Sequence, residues 1–475
     1  MFMRLFARLR IPLMLAVLLV FVVGMAWIEQ SGLAVHAAGA SASITLTPNI
    51  GPPTTVVTVN GTGFGVSETV TINFDTKSLA TTTTSSTGTF LRKINVPSSA
   101  LPGNHTVKAT GQTSKLVATA LFVTQTNWVM FGYGPQHTHL NPYENVLSPN
   151  SVSHLVLNWS YTTGNSVTST PAVNNGIVYF GSQDNKLYAL DASAGTFLWS
   201  FTTGGAISSS PAIVYGTVFV GSADQKLYAL DASTGKLKWS VSTGGAITSS
   251  PVVANGTVFF GSQDNQLYAV NAKTGKVRWT FPTTGAITAS PAVDAQTVFV
   301  GSQDNSIYAL DITTGQSKWS FPTGNAITSS PAVAGGVVYV GSTDDQLYAL
   351  NETTGTKNWS VATGNAITSS PAVAGGIVYV GSTDNKVYAL DVATGASVWT
   401  YPTTGPITSS PTVAHGVLFV GSQDKHVYAL GAVNGTLKWV YATGNMVNSS
   451  PIVVNGKVYV GSNDDKFYVF HLPGM

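Results

Sequence analysis

The stretch Ser250–Ala289, SPVVANGTVFFGSQDNQLYAVNAKTGKVRWTFPTTGAITA, decides the fold because it recurs along the chain every 40 residues. Pro251 and Trp279 mark the repeat, and each has seven counterparts spaced by multiples of 40. A period near 40 residues is typical of a solenoid, an array or a propeller blade, and the strand content decides among these. The marker tryptophans are Trp159, Trp199, Trp239, Trp279, Trp319, Trp359, Trp399 and Trp439.

Each unit contains four short apolar runs rich in β-branched and aromatic residues. They are bounded by Asn-Gly, Asp-Asn and Ala-Gly pairs, which are typical of tight hairpins, and none has a helical period. Four antiparallel strands in 40 residues predict one propeller blade. In the first full unit, the predicted strands are Val167–Val173, Ile177–Phe180, Leu187–Leu190 and Phe197–Phe201.

The two ends of the repeat array predict how the ring closes. A fourth-strand motif at Leu155–Tyr161 has no first three strands before it, and the last unit, Ser450–Phe470, lacks a fourth strand. We therefore predict an all-β chain in which residues 154–475 form an eight-bladed β-propeller. The early strand completes the last blade, which removes exposed strand edges.

The segment Ala189–Trp199, ALDASAGTFLW, resembles the tryptophan-docking motif of the pyrroloquinoline-quinone (PQQ) repeat family. Six similar segments follow it at the same period, and the resemblance covers about Trp128 to the C-terminus. It implies that each indole packs on the backbone of the adjacent motif and links neighbouring blades. The structural docking residues implied in this way are Trp159, Trp199, Trp239, Trp279, Trp319, Trp359, Trp399 and Trp439.

The N-terminal residues 1–42 are predicted to be a signal peptide or a signal anchor. Three arginines precede the uncharged apolar run Ile11–Ile28, and a small-residue site follows at Val35–Ala37. We expect cleavage after Ala37. The alternative is retention as an N-terminal anchor, because 18 residues are at the lower limit for spanning a bilayer. Both alternatives predict an extracytoplasmic protein, secreted or at the cell surface.

Between this segment and the propeller, two further regions are expected. Residues 43–124 contain short alternating runs separated by turn residues, which predict a small immunoglobulin-like β-sandwich of around seven strands. Within it, Pro48–Pro52 and Val59–Phe64 resemble the IPT/TIG class of immunoglobulin-like modules. Residues 125–153, here called the lead-in, resemble the segment that precedes many PQQ-repeat propellers and are expected to pack on one face of the ring.

Composition excludes several classes of function. The net charge of +2 is accounted for by Arg4, Arg8, Arg10 and Glu29 in the first 37 residues, so the remainder is neutral. A neutral chain has no electrostatic reason to bind nucleic acid or an anionic membrane, and the only membrane contact expected is through an uncleaved N-terminal segment. The absence of cysteine excludes disulfides, thiolate metal sites, cysteine nucleophiles and lipobox attachment. We expect a monomer.

Three sets of polar residues are candidates for chemistry. His137 and His139 could share a metal, but no third ligand is near, so surface or packing roles are favoured. Serine and threonine before each repeat proline are expected near the central channel, either binding a ligand or filling a crowded axis. An aspartate recurs in every second hairpin, where turn formation is favoured over calcium binding. These aspartates are Asp184, Asp224, Asp264, Asp304, Asp344, Asp384, Asp424 and Asp464.

A few positions depart from the repeat, including Tyr215, Asp294–Gln296, His415, His426 and Met446. A catalytic site needs different groups that converge on one point, and these departures are scattered. We interpret them as sequence drift, with a blade-specific contact surface as the alternative.

The predicted function is a non-enzymatic, extracytoplasmic binding or scaffold protein that uses its propeller to contact an unknown envelope protein or polysaccharide. The alternatives are a PQQ- and calcium-dependent quinoprotein dehydrogenase and a purely architectural surface protein. The dehydrogenases of the resembling family add loops with calcium ligands, a catalytic aspartate and often paired cysteines. PQQ carries three carboxylates, and Arg278 is the only arginine in the propeller region. We therefore expect no catalytic, cofactor-binding or metal site.

Overall fold

The computed structural model describes residues 41–474, so nearly all of the predicted signal segment lies outside the described residues. Within that range, strands dominate, and none of the helices is both long and apolar enough to cross a membrane. A single 3-10 turn, η1, occupies Val152–His154 in the described chain.

The N-terminal region folds as two facing sheets. One sheet has the order β1-β3-β6 and the other has the order β2-β8-β7-β4-β5. Alternating residues such as Val57, Val59, Val70 and Ile72 point into one shared core and are completely buried. The strands are β1 Ser43–Thr47, β2 Ile50–Gly51, β3 Val56–Thr62, β4 Thr69–Phe74, β5 Lys77–Thr83, β6 Phe90–Asn95, β7 Gly103–Gly111 and β8 Val117–Thr124.

Strand β5 is not marked by its own sequence, because KSLATTT lacks the alternation of apolar residues that is typical of a half-buried strand. It is a sheet edge that pairs only with β4, so much of it remains exposed. Pairing with β4, rather than side-chain burial, places this segment in the sheet.

The lead-in contributes the short strand β9, Leu140–Asn141, and is followed by β10, Val156–Thr162. The repeats then form sheets of four antiparallel strands in chain order. The first three sheets comprise β11–β14 (Ala172–Asn174, Ile177–Gly181, Lys186–Asp191, Phe197–Thr202), β15–β18 (Ala212–Val214, Thr217–Ser222, Lys226–Asp231, Leu237–Ser242) and β19–β22 (Val252–Ala254, Thr257–Gly261, Gln266–Asn271, Val277–Pro282).

The next sheets repeat the pattern, and the last one takes its fourth strand from the N-terminal side, because β10 pairs antiparallel with β41. The remaining strands are β23–β26 (Ala292–Asp294, Thr297–Gly301, Ser306–Asp311, Ser317–Pro322), β27–β30 (Ala332–Ala334, Val337–Gly341, Gln346–Asn351, Lys357–Ala362), β31–β34 (Ala372–Ala374, Ile377–Ser382, Lys386–Asp391, Ser397–Pro402), β35–β38 (Thr412–Ala414, Val417–Gly421, His426–Gly431, Leu437–Ala442) and β39–β41 (Ile452–Val454, Lys457–Gly461, Lys466–His471).

The second strand of each unit is buried on both faces, which explains why its sequence does not alternate. In β12, Val178, Tyr179 and Phe180 are all buried, two facing one neighbouring sheet and one facing the other. Burial of both faces favours continuous apolar runs over alternation. The core is therefore a series of layers between sheets.

The first strand of each unit is shorter than predicted. The sequence predicted Val167–Val173, whereas β11 begins at Ala172. Pro171 has no N–H to give to a ladder. The Ser169 hydroxyl replaces the ladder there, accepting from Gly181 N at 2.8 Å and donating to Gly181 O at 2.9 Å.

Candidate functional site

The first strands of successive sheets contact one another and therefore surround a common axis. The lead-in runs around this axis, meeting the first strands in chain order. Trp128 forms a two-way bridge with Val173, in which Trp128 N donates to Val173 O at 2.8 Å and Val173 N donates to Trp128 O at 2.7 Å. We call residues 128–141 the axial segment.

Backbone carbonyls of the axial segment accept hydrogen bonds from one first strand after another. The segment ends in β9, which pairs parallel with β35, and in Asn141, whose Nδ2 donates to Val453 O at 2.8 Å. The axial segment thus satisfies inward-facing edge donors that the repeats leave free. The remaining bonds run from Ile213 N to Val129 O (2.7 Å), Val293 N to Pro135 O (2.7 Å), Val333 N to Gln136 O (2.8 Å), Val373 N to Thr138 O (2.9 Å) and Val413 N to His139 O (2.9 Å).

His137 and His139 lie in the axial segment, and the ring of Phe131 meets both imidazoles edge to face. Both are about 1% exposed, so the surface alternative is wrong and the packing alternative holds. Burial lowers the pKa of each to about 3, so both are neutral at pH 7. Residues 41–474 contain no group of three or more His, Cys, Asp or Glu that could hold a metal.

The serines before each repeat proline bond to neighbouring sheets. In one belt, each hydroxyl accepts from the backbone N–H of the residue 40 positions earlier, at 2.9–3.0 Å. These serines are buried, and their hydroxyls link units around the axis, which fits the expectation that small residues fill a crowded axis. The belt consists of Ser210, Ser250, Ser290, Ser330, Ser370, Ser410 and Ser450.

The other end of the axis carries uncharged polar side chains. Thr168 precedes the first strand, whereas Asn175, which bonds to Asn127 in the lead-in, follows it. Thr168 therefore lies at the end opposite the lead-in, where Gln183 Nε2 donates to its hydroxyl at 2.8 Å. The Thr328 and Thr368 hydroxyls are at the equivalent position and have no partner in the described structure. We call this region the polar end.

The recurring aspartates are used within the repeat, as the turn interpretation predicted. Asp184 accepts from Lys186 N at 3.1 Å, from Gly164 N at 2.8 Å and from the Tyr188 hydroxyl at 2.6 Å. The aspartate–tyrosine bond recurs in all eight copies of the hairpin in the described residues. Burial and this bond raise the pKa of the tyrosine, to about 12 at Tyr348 and Tyr388.

The marker tryptophans lie on the outer strands and contact the next sheet. The Trp279 ring covers Gly315, where a Cβ would come within 2.6 Å of it, and Trp279 Nε1 donates to Ile312 O at 3.2 Å. Trp199, Trp319, Trp359, Trp399 and Trp439 donate to the next sheet or, for Trp439, to Leu155 O. Trp159 and Trp239 form no such bond among the described residues, although their rings cover Gly195 and Gly275.

The sequence of residues 216–446 matches the family described as beta-alanine-activating enzyme, beta-propeller. BamB from Moraxella catarrhalis superposes with a TM-score of 0.59 at 21% identity, covering 67% of this chain and 99% of that one. The fold is a quinoprotein-like β-propeller. The quinohemoprotein alcohol dehydrogenase from Comamonas testosteroni gives a TM-score of 0.64 at 19% identity, covering 74% and 81%.

A computationally designed protein, Ika8, also superposes on this quinoprotein-like propeller, with a TM-score of 0.60 at 19% identity, covering 65% of this chain and 97% of that one. A search of curated proteins found no match. Likeness at these identities shows the fold alone, because one fold can host unrelated functions.

The residues around the axis of this quinoprotein-like propeller do not fit PQQ. A tricarboxylate in a poorly solvated site needs cationic partners. At one end, the axis holds two neutral histidines, and at the polar end the side chains are hydroxyls and amides. Arg278 lies on β22, the outermost strand of its sheet.

Proposed function

We propose that the protein is a non-enzymatic, extracytoplasmic binding or scaffold protein that contacts a protein or polysaccharide at the cell envelope. Its four-strand units close into an eight-bladed ring of residues 154–475. Residues 43–124 are an IPT/TIG-like module, and the lead-in, residues 125–153, joins the two. The propeller serves as a rigid surface rather than as a container for a cofactor.

The filled axis carries this proposal. Carboxylate, imidazole or hydroxyl groups must converge on a substrate position for acid–base or nucleophilic catalysis. Here the histidines at the axis are buried against Phe131, and the belt hydroxyls are engaged between sheets. The recurring aspartates are bonded to tyrosine and to backbone N–H groups. The carboxylates and hydroxyls are therefore held by structural hydrogen bonds, and the imidazoles are buried where a substrate cannot reach them.

Two features support the closed ring. β10 completes the sheet of β39–β41, and the rings of Phe180 and Phe467 stack across the joint with centroids 4.1 Å apart. Seven of the eight marker tryptophans face a glycine in the next motif, such as Gly315 for Trp279, which leaves room for the indole. We propose that the tryptophans dock neighbouring blades in this way.

The sandwich packs on the lead-in end, which favours the polar end as the partner surface. Asn145 Nδ2 donates to Ala100 O at 2.8 Å and to Ser98 O at 3.2 Å. Asn455 accepts from Thr126 N at 2.9 Å and donates to Thr126 O at 2.9 Å. At the polar end, exposed amides such as those of Gln263 and Gln303 can pair with peptide groups or sugar hydroxyls.

Calorimetric titration with PQQ plus calcium, together with assays of dye-linked alcohol and sugar oxidation, tests the non-enzymatic proposal. We expect neither saturable heat nor turnover. Tight binding with turnover would contradict the proposal and favour a minimal quinoprotein. Cross-linking of the full chain in its own envelope, with and without Gln263→Lys and Gln303→Lys, tests the polar end. Both glutamines are exposed there, so two added positive charges should reduce capture of an uncharged partner surface.

A further inference from the structure

A cavity of about 480 Å³ opens between the second and third repeats, away from the axis. One wall comes from the second repeat and includes Tyr215, Phe219 and Trp239. The other comes from the third repeat and includes Asn271, Lys273 and, on its outer strand, Arg278. A second hollow of about 410 Å³ shares Asn271 and Arg278 with it and adds Lys276. The two hollows combine aromatic surface with several cationic side chains.

The hydrogen bonds at this interface differ from those at the preceding one. There, Ala232 O accepts from the Tyr179 hydroxyl at 3.0 Å and from Trp199 Nε1 at 3.1 Å. Here Phe219 occupies the tyrosine position, and Trp239 Nε1 has no hydrogen-bond partner in the described chain. The indole N–H of Trp239 is therefore a donor in a cavity wall with no protein acceptor.

The cations of the cavity differ in how far they are already engaged. Lys238 donates to Gly216 O and the Thr217 hydroxyl at 2.9 Å and lies 3.3 Å from Asp231 Oδ2. Arg278 makes one long bond, from Nη2 to Gly256 O at 3.4 Å. Lys273 forms no ion pair in residues 41–474. Arg278 and Lys273 thus retain most of their capacity to bind an anion.

Tyr215 completes the site at the cavity rim. It is 79% exposed and occupies the left-handed hairpin position where Asn175 and Asn255 stand in the adjacent units. Asparagine adopts this left-handed conformation more readily than tyrosine does, so Tyr215 does not stabilise the turn. Its exposed ring instead offers a surface for contact with a ligand. Aromatic rings present flat apolar faces that pack against the C–H face of a ligand.

We propose that this cavity binds an acidic saccharide, a sugar bearing a carboxylate. Arg278 would pair with the carboxylate through its planar fork, with Lys273 adding charge. Tyr215 would pack on the sugar ring, and Trp239 Nε1 would donate to a ring hydroxyl. The volume lies in the range of small-ligand sites. This inference rests on the proposed binding function and names acidic polysaccharide as a ligand class.

Calorimetric titration of the full mature chain with tetragalacturonate tests the inference. We expect saturable binding that weakens at least tenfold in Arg278→Asn and in Tyr215→Asn, because each removes one half of the recognition. Asparagine stands at both equivalent positions in other repeats, at Asn358 and Asn255, so both variants should fold. Lys318→Asn is the matched control: it removes the same charge at the same repeat position in the next unit, and should change affinity less than twofold.

Absence of binding by the wild-type chain, equal binding of a neutral galactan tetramer, or equal weakening by Lys318→Asn would each overturn the inference. Binding of ATP in place of tetragalacturonate, lost in the same two variants, would assign the cavity to an aromatic anion and also overturn it. None of these outcomes produces PQQ-dependent turnover, so failure of the inference is distinguishable from failure of the non-enzymatic proposal.

Discussion

The 40-residue repeats and the axial segment differ in how they form hydrogen bonds. The repeats leave the inward-facing N–H groups of their first strands without a partner, and the axial segment supplies carbonyls to them. Within and between repeats, the same hydrogen bonds recur: a tyrosine hydroxyl donates to an aspartate, and a backbone N–H donates to the serine 40 positions later. The inward-facing N–H groups of Val173, Ile213 and their counterparts find no acceptor within the repeats. Six of those groups, on Val173, Ile213, Val293, Val333, Val373 and Val413, donate to carbonyls of residues 128–141, which do not repeat at all.

This contrast teaches that a repeated sequence can build a ring but needs an aperiodic segment to finish its centre. A ring of identical units leaves a converging set of edge donors at the axis, and identical side chains from every unit would crowd there. One aperiodic segment that runs around the axis can present its carbonyls to one first strand after another. In that position the segment buries polar groups of its own, including two neutral histidines.

The largest expected effect comes from removing the first anchor of the axial segment. Trp128 is completely buried against Val173 and Tyr133, so Trp128→Ala leaves a large cavity. We expect a loss of about 4 kcal/mol in the free energy of unfolding, measured by denaturant titration. Exposed Leu91→Ala in the sandwich is the control and should change stability by less than about 0.5 kcal/mol. A Trp128 variant as stable as the control would show that the axial segment does not hold the ring.

The next effect tests docking within the repeats. Gly315 has φ +72, and an added Cβ would meet the Trp279 ring at 2.6 Å, whereas Gly336 has φ +79 with nothing within 4 Å. We expect Gly315→Ala to cost about 3 kcal/mol, from backbone strain plus overpacking. Gly336→Ala should cost about 1 kcal/mol, from strain alone. Thermal unfolding of both variants measures the difference, and equal losses would argue against docking by Trp279.

The third effect depends on pH and concerns the axial segment alone. His139 has a folded-state pKa of about 3 against 6.5 when unfolded, so the unfolded chain binds more protons between these values. The stability that neutral His139 allows is therefore complete above pH 6.5 and falls as the pH drops towards 3. We expect His139→Leu to reduce the loss between pH 7 and pH 5 by about 2 kcal/mol.

Paired denaturant titrations at pH 7 and pH 5 measure this difference. His154→Leu is the control, since His154 is exposed, and it should leave the pH-dependent loss as it is in the wild type. If His139→Leu shows the same loss as the wild type, His139 is accessible to protons in the folded chain and the axis is open to solvent.

The smallest effect concerns the serine belt. Ser330 Oγ accepts from the buried Ser290 N at 2.9 Å, so Ser330→Ala leaves that N–H without a partner and should cost about 1 kcal/mol. Ala289 stands where most units have a buried serine that accepts from a glycine N–H, so Ala289→Ser should be neutral or slightly stabilising. Thermal shift measurements on both variants check these outcomes, and a Ser330→Ala variant as stable as the wild type would show that the belt bond does not contribute to stability.

Much of the repeat could be predicted from the sequence, because its contacts are local or recur at one spacing. The hairpins around Asp184, the buried second strands and the pairing of the early strand with the last unit all followed from pattern. The start of the first strand did not follow from pattern. The apolar run predicted a strand from Val167, but hydrogen bonds of the Ser169 hydroxyl replace the backbone ladder there, and β11 begins at Ala172. The edge strand β5 is also not evident from the sequence. Its backbone pairing with β4 holds it in the sheet, whereas its largely exposed side chains show no apolar alternation.

The sequence alone determined the period, the four strands per unit, the turn role of the aspartates and the absence of cysteine chemistry, because each depends on residue type and spacing. Only the tertiary structure decided that the lead-in runs around the axis, that serines bond to partners 40 positions away and that a cationic aromatic cavity lies beside Trp239. Those features depend on where separate units meet in space, and no periodicity in a single chain encodes which repeat N–H group meets which carbonyl of a non-repeating segment.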